Sequence, residues 1–541
     1  MSVGPAPDGI LGDIYGGLTA AVVALPLALA FGVASGAGPI AGLYGAIAVG
    51  FFAAVFGGTR IQVSGPTGPM TVVMGAIVTQ FADNLPDAFA IVMLGGLIQI
   101  VFGLIRVGRY VSYTPHSVVS GFMSGIGVII IIIQVRPFAG LDGLPGGPLV
   151  NILAWSEIKN LANPEALAVA AISIAIMIFW PVRLRTYLPP ALAALIFGTL
   201  LAFFVLPGAP IIGEVPTGLP ELFLPTVSVG KLLLFLQPAM VLALLGSIDS
   251  LLTSLVADSI TRTRHDSNRE LIGQGIGNMV SGLVGGLPGA GATMRTVVNV
   301  RAGGNSPFSG ALHAFVLLAL VLGLGPAAEI IPQSVLAGIL MKVGWDIIDW
   351  GYLKRFRRVP RDELFVMFVT LFLTVFVDLI TAVAVGLIVA GFVNARWMAI
   401  EEMKGVKETS LSGNNTQLNA NELAQLAKGN GDVGLISLRG RFSYASARYL
   451  SKSVQKMGSP YKVIIYDFGR TEHLDTSAAV AIAELVSEAI RTGKTCFLTG
   501  MPGNAEVVLE SLGALDEIPP EQIVPNRLDA IRFAVAFRSE S

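Results

Sequence analysis

Two stretches carry the residue types best equipped for chemistry, and both lie deep in apolar chain. Ser64–Met74, SGPTGPMTVVM, holds two prolines, two glycines and three hydroxyls, and Leu287–Val298, LPGAGATMRTVV, repeats that texture. Both end in Thr-Val-Val, at Thr71–Val73 and Thr296–Val298, about 225 residues apart. A helix through Pro66 and Pro69 would lack two N–H donors and carry the cost of Gly65 and Gly68. The spacing therefore predicts an extended segment that turns into a helix near Thr67, and a second that does so near Thr293. A helix N-terminus presents unpaired N–H groups and about half a positive charge, so two aimed at one spot make an anion site that needs no buried lysine. Thr67 and Thr293 would add hydroxyls to those N–H groups, the structural alternative being a plain N-cap. Glycines such as Gly68 let an ion approach the backbone closely.

Asp249 is the most informative single side chain. It falls mid-span in VLALLGSIDSLLTSLVAD, where a carboxylate costs about 2.5–3.5 kcal/mol on insertion scales. Thr253, one turn on, shares its face. A carboxylate, a hydroxyl and freed carbonyls near Gly291 are hard oxygen ligands of the kind a small cation prefers. The alternative is an Asp that packs helices through a neighbouring hydroxyl. Arg295, in the first turn of the second short helix, either raises the positive potential there or pairs with a carboxylate elsewhere. Asp13 and Asp258 fall at span ends and read as structural, and His313 reads as a packed histidine. Glu472, His473 and Asp475 have the composition of a catalytic cluster without a hydrolytic spacing. The chain has no P-loop.

The elements that must position these residues are membrane spans. Of 541 residues 53% are hydrophobic and 13% charged, against roughly a quarter charged in a soluble domain. The formal net charge of −1 points away from a nucleic-acid partner. Cys496 is the sole cysteine, which excludes intramolecular disulfides and Cys-cluster metal sites. The start, MSVGPAPDG, lacks the basic run and cleavage site of a signal peptide. A bilayer crossing takes about 20 apolar residues, and fourteen candidates fit near 14–35, 39–57, 67–80, 88–106, 117–135, 166–182, 189–206, 237–257, 270–287, 293–303, 308–325, 333–350, 364–378 and 379–399, the third and tenth short enough to be half-helices. After even spans come Arg106 and Arg109, Arg183 and Arg185, Arg262, Arg264 and Arg269, Arg301, and Lys354 to Arg361. After odd spans come Asp83 and Asp87, Glu214 and Glu221, and Glu329. The positive-inside rule then puts both termini in the cytoplasm. Seven spans per half make the second half inverted relative to the first, so the half-helices meet at mid-membrane.

The composition changes beyond Ala399. Residues 400–432 are polar and read as a linker or irregular edge. Strand-like runs at Val433–Leu438, Lys462–Phe468 and Cys496–Thr499 alternate with helix-like runs at Ala445–Met457, Ser477–Arg491 and Ala505–Leu512. The organisation expected is a transmembrane anion-transport domain over 1–399, a linker over 400–432 and a small cytoplasmic α/β domain over 433–541.

Four segments, GDIYGGLTAAVVALPLALAFGVASGAG, SGPTGPM, DSNRELIGQGIGNMVSGLVGG and GATMRTVVNVRAGG, resemble the SulP family of anion transporters, and LDTSAAVAIAELV resembles a STAS domain. The resemblance covers the whole chain in order. It implies an α-helical polytopic fold of 14 spans as a 7+7 inverted repeat, with a core domain (spans 1–4 and 8–11) and a gate domain (5–7 and 12–14). It further implies an elevator-like movement, a homodimer and a multi-pass location in the inner (plasma) membrane. GSIDSLLTSLVADSITRTRHDSNRELIGQG and KVGWDIIDWGYLKRF resemble the family's sodium-dependent bicarbonate carriers. That likeness implies a transporter, not an enzyme, with sodium as coupling ion and no cofactor. Asp249, Thr253, Gly291 and Thr293 would hold sodium, and Thr67, Ala292 and Thr293 the bicarbonate, with Gly68 and Arg295 beside it. Arg295 resembles instead the arginine of sulfate-type members, which keeps a proton-coupled sulfate or dicarboxylate carrier, an anion exchanger and an anion channel open. In antagonist STAS domains a hydroxyl after the Asp is phosphorylated, and Thr476 and Ser477 occupy that neighbourhood. A helix N-cap is the preferred reading there.

Overall fold

The computed structural model describes residues 9–540 apart from 83, 112–113, 145–146, 182–183, 185–187, 214–219, 221, 224–228, 378, 410–417, 502 and 514. Asp83, Arg183, Arg185, Glu214, Glu221 and Asp378 thus lie outside the described residues. The chain divides into two compact units, Met1–Ile388 and Val389–Ser541.

The first unit is a bundle of helices interrupted by two very short strands. In chain order come α1 (Ile10–Ala34), α2 (Pro39–Phe56), β1 (Ser64–Gly65), α3 (Gly68–Gln80), α4 (Leu85–Leu104), α5 (His116–Phe138), α6 (Pro164–Phe179) and α7 (Pro190–Phe204). The second half holds α8 (Val229–Thr261), α9 (Ser267–Leu283), β2 (Ala290–Gly291), α10 (Thr293–Arg301), α11 (Pro307–Glu329), α12 (Gln333–Ile347) and α13 (Arg361–Phe376), and α14 (Leu379–Met403) carries the chain into the second unit. Each expected span has a helix among the described residues. Six of them, α1, α2, α4, α5, α8 and α14, are long and apolar enough to cross a bilayer by themselves. Three of the others fall short for a visible reason. α3 has 13 residues and α10 has 9, roughly 20 and 14 Å at 1.5 Å per residue, against about 30 Å of hydrocarbon. α6 joins the preceding helix Trp155–Leu161 at a bend of 115°.

Proline and polar caps set the helix starts. Pro39, Pro69 and Pro164 occupy the first turns of α2, α3 and α6, where a missing N–H costs nothing. Asn163 caps α6 and Asp266 caps α9. Small residues set the packing. A Cβ added at Gly275 of α9 would lie 2.5 Å from the Gly96 carbonyl of α4, and the reverse addition meets the same distance.

The second unit is a five-stranded sheet in the order β3 (Val406–Thr409), β4 (Val433–Phe442), β5 (Val463–Leu474), β6 (Thr495–Thr499) and β7 (Ile523–Val524). β3 is antiparallel to β4 and the rest run parallel. Strand alternation splits its core in two. Ile436, Ile464 and Leu498 pack under α16 (Tyr444–Gly458), α17 (Thr476–Arg491) and α18 (Gly503–Ser511). Leu435, Val463, Ile465 and Phe497 pack under α15 (Ala420–Ala427) and α19 (Arg527–Glu540). The segment 400–432 contributes structure of its own. β3 forms the sheet edge, and α15 opens on a capping box between Asn419 and Glu422.

Candidate functional site: the paired half-helices

The two Pro/Gly stretches meet. Ser64 pairs with Gly291 and Gly65 with Ala290, antiparallel. α3 starts three residues after β1 and α10 two residues after β2, so the two helices leave the paired strands in opposite directions and their N-termini converge. Ala292 N–H donates to the Val63 carbonyl (2.9 Å), and Val63 N–H to the Thr296 hydroxyl (3.1 Å).

Thr67 is the N-cap of α3, in extended conformation, yet its side chain caps nothing. Its hydroxyl is buried without a hydrogen-bond partner. In α10 the N-cap is Ala292, not Thr293, which corrects the capping alternative at that position. Thr293 is free for other work because its hydroxyl lies 2.8 Å from that of Thr253. Thr253 donates to the Gly291 carbonyl at 2.9 Å, so Thr293 must donate to Thr253. Gly291 N–H in turn donates to Ser250 at 3.0 Å. Asp249 is 92% buried (8% exposed), and its Oδ2 has no hydrogen-bond partner. The Thr67 hydroxyl and the Arg295 guanidinium both lie near this carboxylate.

Arg295 is 2% exposed. It donates from Nη2 to the Pro66 carbonyl, across the pair from its own helix, and its Nη1 is buried without a partner. A Cβ at Gly65 would lie 2.5 Å from that Nη1, so the glycine makes room for the guanidinium. A Cβ at Gly68 would sit 2.8 Å from Ile130 of α5 and 2.9 Å from Ile347 of α12. Thr67, Gly68, Asp249, Thr253, Gly291, Ala292, Thr293 and Arg295 are therefore one neighbourhood.

The other singled-out residues lie elsewhere. Asp13 accepts from Asn305 N–H (2.7 Å) and Ser306 N–H (2.9 Å) ahead of α11, and Asp258 holds His265 at 2.7 Å, both structural roles. His313 is fully buried, with neither ring nitrogen hydrogen-bonded. In the second unit Asp475 is the N-cap of α17, accepting from Ala478 N–H at 2.8 Å and Tyr444 N–H at 2.7 Å. Thr476 and Ser477 are not caps but exposed residues of the first turn. Glu472 and His473 are exposed on β5.

Sequence reasoning missed the frame that holds the strands. Glu270, 1% exposed, accepts from Gly58 N–H and Thr59 N–H at 2.9 Å and from Gln62 Nε2 at 2.7 Å. Gln274 donates to Ser64 Oγ (2.6 Å) and to Glu270 (2.8 Å). Asn278 grips Gly289 from both sides, accepting its N–H at 2.7 Å and donating to its carbonyl at 3.0 Å. Their spacing of four along α9, polar in a glycine-rich span, is the signal that could have found them.

These features define a helical membrane transporter with a polar centre built from two broken helices. A sulfate permease family model matches residues 10–370 and a STAS domain model matches 424–530. The chain belongs to that family of anion transporters and carries a C-terminal STAS domain. It is 43% identical over 537 residues to the bicarbonate transporter BicA of Picosynechococcus, covering 97% of this chain and 95% of that one. It is 30% identical over 515 residues to the putative sulfate transporter YvdB of Bacillus subtilis, covering 94% of each. Among solved structures it is similar to the transmembrane domain of a cyanobacterial BicA (51% identity, TM-score 0.65, 69% of this chain and 97% of that one). It shares its fold over 99% of its length with the inward-facing murine Solute Carrier 26 member A9 anion transporter, 92% of which is covered (20% identity, TM-score 0.80).

Proposed function

We propose that this protein is a sodium-coupled bicarbonate symporter of the inner (plasma) membrane with both termini cytoplasmic. The observation that carries the reading is the unsatisfied polar chemistry at the crossing of β1 and β2. Thr67 Oγ1 and Asp249 Oδ2 are buried and unpartnered beside two helix N-termini. Sodium would take oxygen from Asp249, Thr253, Thr293 and the Gly291 carbonyl, a hard-oxygen set. With the carboxylate neutralised, a monovalent anion would rest on the Thr67 hydroxyl and on the N–H groups at Gly68 and Thr293, with Ala292, whose own N–H is held by Val63, beside it. The 43% identity to BicA supports the choice of substrate. Gly68 abuts α5 and α12, so an elevator-like sliding of the strand-bearing helices past α5 and α12 would carry the ion pair across. A homodimer formed through the STAS domain belongs to the same proposal.

The test is uptake of labelled bicarbonate into proteoliposomes at fixed pH, with and without an inward sodium gradient. Uptake that rises severalfold with the gradient and is lost in Asp249→Ala is expected. Uptake that ignores sodium in the unsubstituted protein overturns the coupling. One observation favours a second reading: Arg295, buried at the site, suits a proton-coupled carrier of sulfate or dicarboxylate. Labelled sulfate entering with a proton gradient would select that reading.

A further inference from the structure

We propose that the second unit holds a site for a compact oxyanion, of the phosphate or sulfate kind, between Arg439, Arg470 and Thr499. This site is separate from the paired half-helices and does not rest on the transport reading. Three guanidinium groups, those of Arg439, Arg470 and Arg527, gather near two carboxylates, Glu422 and Asp467. Both carboxylates are committed to Arg527. Glu422 accepts from its Nε and Nη2 at 2.9 Å, and Asp467 from its Nη1 at 3.3 Å. Asp467 also accepts from Ser437 Oγ at 3.1 Å and Gly469 N–H at 2.9 Å.

Arg439 and Arg470 are left side by side, as register partners on the parallel strands β4 and β5. Nε and Nη2 of Arg439 are buried without hydrogen-bond partners. Burial, and then the charge of Arg470, hold this guanidinium below its usual pKa. Thr499 is fully buried with its hydroxyl unpartnered, and as the register partner of Asp467 it lies on the same face of the sheet. Buried N–H donors without a partner are costly, and two like charges on adjacent strands add to that cost, which the nearby Asp467 carboxylate offsets in part. An anion removes both terms. Two parallel N–H groups of a guanidinium match a ligand with two acceptor oxygens, which phosphate and sulfate offer and chloride does not. The place fits too, because Thr499 ends β6 and Arg439 and Arg470 lie where β4 and β5 run on past it, on the carboxyl side of the parallel strands, where open α/β sheets hold their ligands.

The experiment is equilibrium dialysis of radiolabelled inorganic phosphate against the purified full-length protein in detergent at constant ionic strength. One saturable site per chain is expected, displaced by sulfate and not by chloride. Arg439→Gln should weaken it at least tenfold. Arg439→Lys, which keeps the charge but not the fork, should weaken it severalfold. Lys452→Gln, an equal charge change on α16, should leave it unchanged, as should Asp249→Ala in the membrane. Should Arg439→Gln misfold, as judged by circular dichroism, Arg470→Gln on the exposed part of β5 takes its place. Full-length protein without saturable binding, unaltered binding in both arginine variants, or loss of binding in Asp249→Ala overturns the proposal.

Discussion

Thr253 has one proton to give, and the geometry assigns it to the Gly291 carbonyl while Thr293 donates to Thr253. The hydroxyl thus ties the carbonyl of β2 to the first turn of α10, and it is the atom a cation would have to recruit. Thr253→Val keeps the shape and removes the oxygen. The unpaired Gly291 carbonyl costs about 1–3 kcal/mol, and under the sodium-coupled proposal the expected result is a sodium half-activation constant raised at least tenfold. Thr253→Ser should stay near the unsubstituted value. A valine variant with unchanged sodium activation would reduce Thr253 to a packing hydroxyl. That Thr253 shares a face of α8 with Asp249 was legible in the sequence, because a spacing of four fixes a shared helix face before any fold is known. Arg295 was not, since both alternatives were open until its guanidinium was seen to cross to Pro66, 229 residues back.

At the scale of elements, two strands of two residues each cannot hold their own geometry. They persist because α9 presents Glu270, Gln274 and Asn278 to the segments on either side. Removing Glu270 orphans Gly58 N–H and Thr59 N–H together with one donor of Gln62, at about 1–3 kcal/mol each. Glu270→Ala should therefore lose the monodisperse peak in size-exclusion chromatography. Glu270→Gln should keep the peak with a lower melting temperature, because its amide has one acceptor oxygen for two sets of donors: turned to Gly58 and Thr59, it sets its NH2 against the Gln62 and Gln274 amides. A Glu270→Ala protein as monodisperse and heat-stable as the original would remove α9 from this role. The broken helices themselves were readable from Pro66, Gly68, Pro69, Pro288, Gly289 and Gly291, whose backbone costs are local. The frame was not, because its partners stand 212 residues apart and a single sequence carries no record of that pairing.

For the whole molecule, the question is where one unit ends and the other begins. Composition changes beyond Ala399, yet the sheet recruits β3 from the polar stretch that follows. Val406 pairs with Leu438 and Thr409 with Leu435. α15 adds Leu426 to the core that α19 covers. A short edge strand of charged residues and a single eight-residue helix lie below the local signal that marks an element, although the Asn419–Glu422 capping box was there to be read. The placement has a consequence for truncation. A chain ending at Asp432 keeps β3 and α15 but deletes β4 to β7, leaving an unpaired edge strand and an uncovered Leu426, both aggregation hazards. A chain ending at Lys404 removes the whole sheet. The first unit, Met1–Ile388, is compact by itself, so the 1–404 chain should insert and take up anion at a rate within a fewfold of full length per mole of protein. The 1–432 chain should recover poorly from detergent. Uptake assays on both, normalised to incorporated protein, separate the possibilities. A 1–404 protein that inserts as a monodisperse species yet carries nothing would mean that transport needs the sheet, and the paired half-helices alone would not then suffice.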